Sequence, residues 1–319
     1  GDVYKRQDKI LVVGASGGTG VRALRGLLDV GYSPCQIRIL TRNPDKPHLV
    51  ALRELGFETC QADLEDAASL LPSSLLEDCV GCYIHSTSSD TAKLDTLEVD
   101  RAKNLAAAIQ AHQQSQPKHP LQSIVYNSAA AEEDHGVYRM AQKHGVEQIL
   151  KDVAVAARHT TSSNIQVTSL RANLFMEEFW KHYTRPAIQK GTFPLSVPSD
   201  RPIYLTSVRD MGRLAGTIIQ KQQEKDQTNE NVRTINVASQ VMTPFQMAEA
   251  FGKSQDTPCR HAKSRMFALL VRLFFKDLHE VIQFYRTSEE TTDIAALKQQ
   301  FPDVSLTPFD TCLLYTSDA

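Results

Sequence analysis

Near the start of the chain, one run of residues has the types and spacing that suit phosphate chemistry. Gly14, Gly17 and Gly20 recur at every third position, with Ser16, Gly18 and Thr19 between them. They follow the apolar run Ile10, Leu11, Val12, Val13 directly and precede an amphipathic stretch over 21–30. Glycine at 14 permits a tight turn, bare backbone at 17 can approach a pyrophosphate, and glycine at 20 lets the next helix lie close on the strand. The start of that helix offers free N–H groups and a partial positive charge. Strand, glycine turn and helix in this order distinguish a dinucleotide-binding signal from a plain turn.

The end of the second strand bears on which dinucleotide. An acid about 20 residues further on would serve the ribose 2′-OH of NAD. Here Thr41, Arg42 and Asn43 stand in its place, with no acid before Asp45. A guanidinium matches a 2′-phosphate in charge and in bidentate geometry. NADP(H) is therefore expected in preference to NAD(H), with Arg22 as a second cation. The plain alternative is that Arg42 is a solvated loop residue. Asp63 and Leu64 follow the third strand, where Asp63 either meets the adenine edge or caps the next helix. His85 and Ser86, with Thr87, end the fourth strand, and Asn127 and Ser128 end the fifth. Ligands of such sheets lie beyond the carboxyl ends of the strands, so these residues face the nicotinamide side or merely cap strand ends.

For proton transfer the chain has less to show. Short-chain dehydrogenases use Tyr-x-x-x-Lys on the helix after strand five, the lysine activating the phenol. Here Tyr138 and Lys143 are five apart, about 140° apart on a helix, so they do not share a face. Lys143 and Glu147 do share one, as a catalytic lysine with its neighbour or as an ordinary surface ion pair. Lys143 is the candidate proton donor or carbonyl polariser and a candidate cofactor contact, with Ser128 and Tyr126 as helpers.

These residues need a scaffold, and the pattern supplies one. Apolar runs at 10–13, 37–40, 80–84, 123–126 and 165–170, with a short strand at 58–61, alternate with amphipathic stretches at 21–30, 48–55, 95–112 and 137–158. That rhythm predicts βαβ units and a Rossmann-type, doubly wound parallel sheet, an α/β fold. The expected division is a dinucleotide-binding domain over 8–171 and a smaller α/β part over 172–311 that forms a cleft, with some strands and helices returning to the core. After Arg171 we expect a helix over 173–190, a proline-punctuated loop, a strand at 203–208, a helix at 210–222, a strand at 234–237, and a helix capped by Thr243 and Pro244. A long helical stretch follows at 263–287.

The chain has 319 residues, 41% hydrophobic and 23% charged, with net charge −2. This excludes a disordered or collagen-like protein and argues against direct nucleic-acid binding. No run reaches the ~18 apolar residues of a membrane span. The basic-then-apolar stretch 260–278 is expected to pack the C-terminal part rather than a membrane surface. Six scattered cysteines read as reduced thiols. Cys79 and Cys82 form a CxxC without a second pair, and His112, His119, His135 and His144 lack ligand spacing, so no metal is expected. Residues 1–7 and 312–319 read as non-native ends. The expected compartment is the cytoplasm, with the nucleus or an organelle as alternatives.

With these residues in view, the chain resembles the NmrA-like group of atypical short-chain dehydrogenases. The likeness rests on Gly14 to Gly20 with Thr41 and Arg42, on Lys143-x-x-x-Glu147, and most specifically on residues 168–179. That last stretch resembles the family's strand six, Leu-Arg, then Phe-Met-Glu-Asn-Phe, with Glu178 in place of the family's Asn. Val208 to Gly212 resembles a later Val-x-Asp-Ile-Gly turn. The likeness covers about 9–255 and fades downstream. It implies NADP binding and a lysine, here Lys143, that is catalytic in some reductase relatives. It also implies one of two roles: an NADPH-dependent oxidoreductase of a small carbonyl or quinone, or a non-catalytic NADP(H)-sensing regulator acting through a protein partner.

Overall fold

In the computed structural model, the described residues are 8–71, 73–86, 96–115, 119–131, 136–160, 164–181, 184–223, 231–262, 272, 276–289 and 292–316. The expected strands are β1 (Lys9–Val13), β2 (Ile37–Thr41), β3 (Glu58–Gln61), β4 (Cys79–Ile84), β5 (Ser123–Ala129) and β6 (Gln166–Ala172). Between them run α1 (Gly18–Asp29), α2 (Pro47–Glu54), α3 (Leu97–Gln114) and α4 (Tyr138–Thr160). All strands of this sheet pair in parallel, in the order β3, β2, β1, β4, β5, β6, completed by β10 (Val232–Val237) beside β6. The fold is a Rossmann-like α/β sheet, and its order reverses between β1 and β4, where such sheets bind ligands.

Alternation along the strands divides the core. Ile10, Val12, Ile37, Ile39, Tyr83 and Val125 pack on one face, under α1 and α6 (Val208–Gln223). Leu11, Val13, Leu40, Cys82, Ile84 and Ile124 pack on the other, under α3 and α4. Period-2 burial on both faces is why these runs read as continuously apolar. Cys79 and Cys82 lie wholly inside the sheet, and burial pushes the Cys79 thiol up to about 12 and raises that of Cys82 as well. Both thiols are therefore protonated core residues.

Segments from the second half of the chain return to complete this layer. α6 lies across α1 at a contact of bare backbone: a Cβ on Gly212 would sit 2.0 Å from the Ala23 carbonyl oxygen, and one on Gly26 would sit 2.1 Å from that of Arg209. Asp29 locks the crossing by accepting from Arg209 and Arg213, at 2.5 and 2.8 Å.

Residues 173–190 depart from the expected single helix. The chain instead forms β7 (Leu174–Phe175), a 3₁₀ turn over Met176–Trp180 and the short α5 (Arg185–Gln189) begun by Pro186. Tertiary bonds outcompete local helix here. β7 pairs with β9 (Ile203–Thr206), and Asn173 donates to the Val237 carbonyl and the Thr292 hydroxyl. β8 (Thr192–Phe193), β11 (Gln240–Met242), α7 (Pro244–Ser254) and β12 (Arg260–His261) build the remainder around Phe179, Phe193, Phe251 and Phe309. Thr243 does cap α7, in a reciprocal box with Gln246.

Then come α8 (Lys276–Thr287), α9 (Ile294–Gln300) and α10 (Phe309–Thr316). α10 buries Cys312 and Leu313 against the Phe309 cluster. Of the basic-then-apolar stretch, residues 263–271 and 273–275 lie outside the described residues, and Leu278 on α8 is exposed. No described helix is long and apolar enough to cross a membrane.

Candidate functional site

The glycine turn has the tight bend and the close packing that its sequence suggested at Gly14 and Gly20. Gly14 has φ +84, and a Cβ there would sit 2.6 Å from the Ser86 carbonyl oxygen, so the turn packs on the end of β4. A Cβ at Gly20 would fall 2.3 Å from the Gly14 oxygen. Gly17 has nothing within 4 Å of its Cβ position. It is the N-cap of α1 but lends no capping bond, and no acid sits in the first turn. The positive end of α1 is thus without a side-chain cap and open beside Gly17, as a helix end that receives an anion must be.

Around the turn, His48 at the start of α2 places Nε2 3.0 Å from the Ser16 carbonyl. Thr41 is buried and bonded to the backbone of Asn43, whereas Arg42 is exposed at the carboxyl end of β2, its carbonyl held by Gln61. Arg22 acts electrostatically on Glu177 and Cys312, within the C-terminal part. Asp63 caps no helix: its carboxylate accepts from the Glu65 N–H, and the cap of the following 3₁₀ turn is Asp66. Leu64 packs on the core edge, with its carbonyl bonded to Asn104.

His85 ties the two halves of the switch point together. It is 3% exposed, and its Nδ1 lies 3.3 Å from the Tyr83 hydroxyl and 3.4 Å from Asn127 Nδ2, while Nε2 reaches Thr19 Oγ1 at 3.5 Å. Asn127 also donates to the His85 carbonyl at 3.0 Å. Burial, reinforced by the charge of Lys143, pushes the His85 pKa down to about 4, so the ring is neutral at physiological pH. Ser86 follows at the Gly14 contact, and Thr87 lies outside the described residues.

Lys143 and Glu147 are not a pair with each other. Lys143 Nζ donates to Glu98 Oε1 at 3.0 Å and sits 5.7 Å from the centre of the Tyr126 ring. The Tyr126 hydroxyl donates to the same Glu98 oxygen at 3.3 Å. Burial and the charges of Glu98 and Glu147 hold the Tyr126 phenol well above its ordinary pKa, so it stays protonated. Glu147 is 1% exposed and takes a bidentate fork from Arg171 at 2.9 and 2.8 Å. Burial opposes its charge, but the Arg171 fork, with the Ser128 side chain beside it, holds its pKa below the ordinary value. The reading of Lys143 and Glu147 as a surface pair is thereby corrected: each bonds to a group from another element, because burial makes those contacts stronger than a solvated i,i+4 pair. The structure groups Lys143 with Tyr126, and groups Ser128 with Glu147.

At the end of β5, Ala129 and Ala131 pack with Val137, just before α4, with Met140 of α4 and with Phe284 of α8, while Val281 and Tyr285 back them. The Tyr138 N–H donates to Glu280. α8 therefore closes an apolar wall over the start of α4, the helix that carries Lys143.

Glu177, in the most family-specific stretch, is buried. Its Oε1 accepts from the Val208 N–H at 3.0 Å and the Ser207 hydroxyl at 3.3 Å, holding the start of α6. Burial pushes its pKa from 4.5 up to about 7. A carboxyl raised in the folded state stabilises fully below about 4.5, and this contribution is lost as pH rises through about 7. Glu177→Gln is accordingly expected to melt higher than the wild type at pH 8, by at most ~3 kcal/mol, with the gap closing by pH 4.5. Thermal melts across that range check it.

The NmrA-like family model matches residues 6–306. The chain belongs to the NmrA-like family. Among curated proteins it is 39% identical over 84 residues to an NmrA-like family domain-containing oxidoreductase of Aspergillus hancockii. That stretch is 26% of this chain and 24% of the relative, so the chain spans about a quarter of that relative's length. Solved structures share the fold at low identity. Citrobacter sp. triphenylmethane reductase, solved with NADP(H), matches at TM-score 0.72 and 17% identity, over 97% of this chain and 99% of that one. The NADPH-dependent quinone oxidoreductase of Escherichia coli, solved with NADPH, matches at 0.69 and 18%, over 96% and 99%. A mutant NmrA matches at 0.68 and 16%, over 95% and 94%.

Two residues at this site escaped the sequence reading. Glu98 lies 45 positions before Lys143, and His48 lies 32 after Ser16. Only the adjacency of the β4–α3 and β5–α4 crossovers brings Glu98 to Lys143, and no local spacing signals it.

Proposed function

We propose that this family member is an NADPH-dependent oxidoreductase acting on a small apolar carbonyl or quinone. The observation that carries it is the Lys143 ammonium seated between Glu98 and the Tyr126 ring, beside His85 at the carboxyl ends of β4 and β5. Gly14, Gly17, Gly18 and Gly20 would cradle the pyrophosphate, Ser16 and Thr19 line the turn, and Arg42 with Thr41 would take the 2′-phosphate side. Asp63 and Leu64 would flank the adenine, and His85, Ser86 and Asn127 the nicotinamide. The bound nicotinamide supplies the hydride. Lys143 polarises the substrate oxygen and holds the proton at Nζ that the reduced oxygen needs. The wall of Met140 and Phe284 favours an apolar substrate and excludes water.

The test is to titrate NADPH and NADH by fluorescence, then follow NADPH oxidation with quinones and enones. Turnover on an apolar acceptor supports the reading, and tight binding without turnover on any acceptor overturns it. The latter would favour the second reading, a non-catalytic NADP(H) sensor with a protein partner, for which the absent Tyr-x-x-x-Lys pair speaks. For the cofactor preference, Arg42→Ala is expected to weaken NADPH binding by about tenfold or more, the range of a lost charged hydrogen bond, with NADH binding unchanged. Equal affinities for the two cofactors in the wild type, unaltered by the substitution, would contradict it.

A further inference from the structure

Among the described residues, the carboxylate that holds Lys143 comes from α3 rather than from its own helix. Glu98 stands in the first turn of α3, where the helix dipole favours a carboxylate. Its neighbour Asp100 is engaged outward, with Thr96 and Lys103. Glu98 itself is turned inward, and its Oε1 accepts from both the Lys143 ammonium and the Tyr126 phenol. The side chain of Glu98 is 10% exposed and that of Lys143 is 23% exposed, so the ammonium sits on the open side of the carboxylate.

We propose that Glu98 is the positioning residue for Lys143, anchoring the ammonium and the Tyr126 hydroxyl through one oxygen so that the lysine's direction is set by α3 and β5 rather than by its own flexible stem. This rests on the oxidoreductase reading, in which Lys143 acts on the substrate oxygen. The physical need is clear. A lysine has four rotatable side-chain bonds and loses precision unless something holds its end, and a displacement of about 1 Å at a reacting centre can cost 10²-fold in rate.

Two readouts separate positioning from mere structure. In Glu98→Gln, a lysine-acylating reagent at pH 8, with Lys143 followed by peptide mapping, is expected to modify that residue at least threefold faster, because an Nζ no longer held against the carboxylate swings out to meet the reagent. Turnover of the same variant is expected to fall about 10- to 100-fold in kcat, with NADPH affinity within twofold of wild type. Glu98→Asp keeps the charge but withdraws it by one carbon, and is expected to fall between wild type and Glu98→Gln in both measurements. It also serves as the second variant should Glu98→Gln fold poorly.

Unchanged acylation and unchanged kcat in a folded variant would overturn the proposal. A wild type that turns over no acceptor would instead overturn the oxidoreductase reading, and the acylation contrast would still decide whether Glu98 holds Lys143.

Discussion

Lys143→Ala is expected to lower kcat by about 10² to 10³, the range of a lost general acid, on whichever acceptor the wild type reduces. NADPH affinity is expected to change by less than tenfold, since the residues proposed for the pyrophosphate and the 2′-phosphate lie on other elements. Lys143→Arg restores charge next to Glu98 but holds its proton too tightly to pass it on, so it should recover binding better than turnover. The truncation also leaves Glu98, 8% exposed, without its cation. Thermal melts should therefore accompany the kinetics, with a loss of about 1–3 kcal/mol expected from a buried carboxylate that keeps the Tyr126 hydroxyl but loses its ion pair. Full kcat in Lys143→Ala would remove this residue from the chemistry.

The second large effect is on the fold. Gly212→Val forces a branched side chain into a crossing where even a single Cβ would stand 2.0 Å from the Ala23 carbonyl and 3.1 Å from the Gly26 Cα. Both obstacles are backbone, which cannot rotate away. α1 and α6 must separate, and the apolar face they share, including Leu24, Leu27, Met211, Leu214 and Ala215, opens with them. A loss of about 3 kcal/mol or more is expected, read as a fall in Tm or as insoluble expression. Gly17→Ala is the control: its Cβ meets nothing within 4 Å and its φ is −95, so the fold should survive while backbone access to a phosphate is reduced. Wild-type stability in Gly212→Val would mean that the crossing is far looser than its geometry.

How much of this was legible beforehand follows from where the controlling forces act. The strands of the main sheet and the glycine turn were readable because their determinants are local: period-2 burial on two faces makes an apolar run, and a turn needing φ +84 at Gly14 needs glycine. Lys143 was readable as a candidate but its partner was not. Helical spacing places Glu147 on its face, yet Glu147 is claimed by Arg171 on β6 and Lys143 by Glu98 on α3. Residues 173–190 misled for the same reason. Their apolar spacing fits a helix, but pairing of Leu174 and Phe175 with β9, and the bonds of Glu177 to the start of α6, are worth more than a local turn. The site residues that local pattern could reach sit at strand ends, and those it missed arrive by crossover connections.

The return of α6 and β10 to the sheet has a consequence for how the chain emerges from the ribosome. Among the described residues, the outer edge of β6 is paired by β10, and the outer face of α1 is crossed by α6, roughly 190 residues downstream. A nascent chain ending near residue 171 therefore exposes an unpaired parallel edge and an apolar helix face, the features that invite intermolecular association. The cofactor half is not a unit that folds first and waits for the rest. Its completion is deferred until most of the chain has been made, and high-contact-order closure of this kind is slow. A separately expressed 8–171 fragment is thus the wrong object in which to look for dinucleotide binding, even though every residue expected to touch the dinucleotide lies within it.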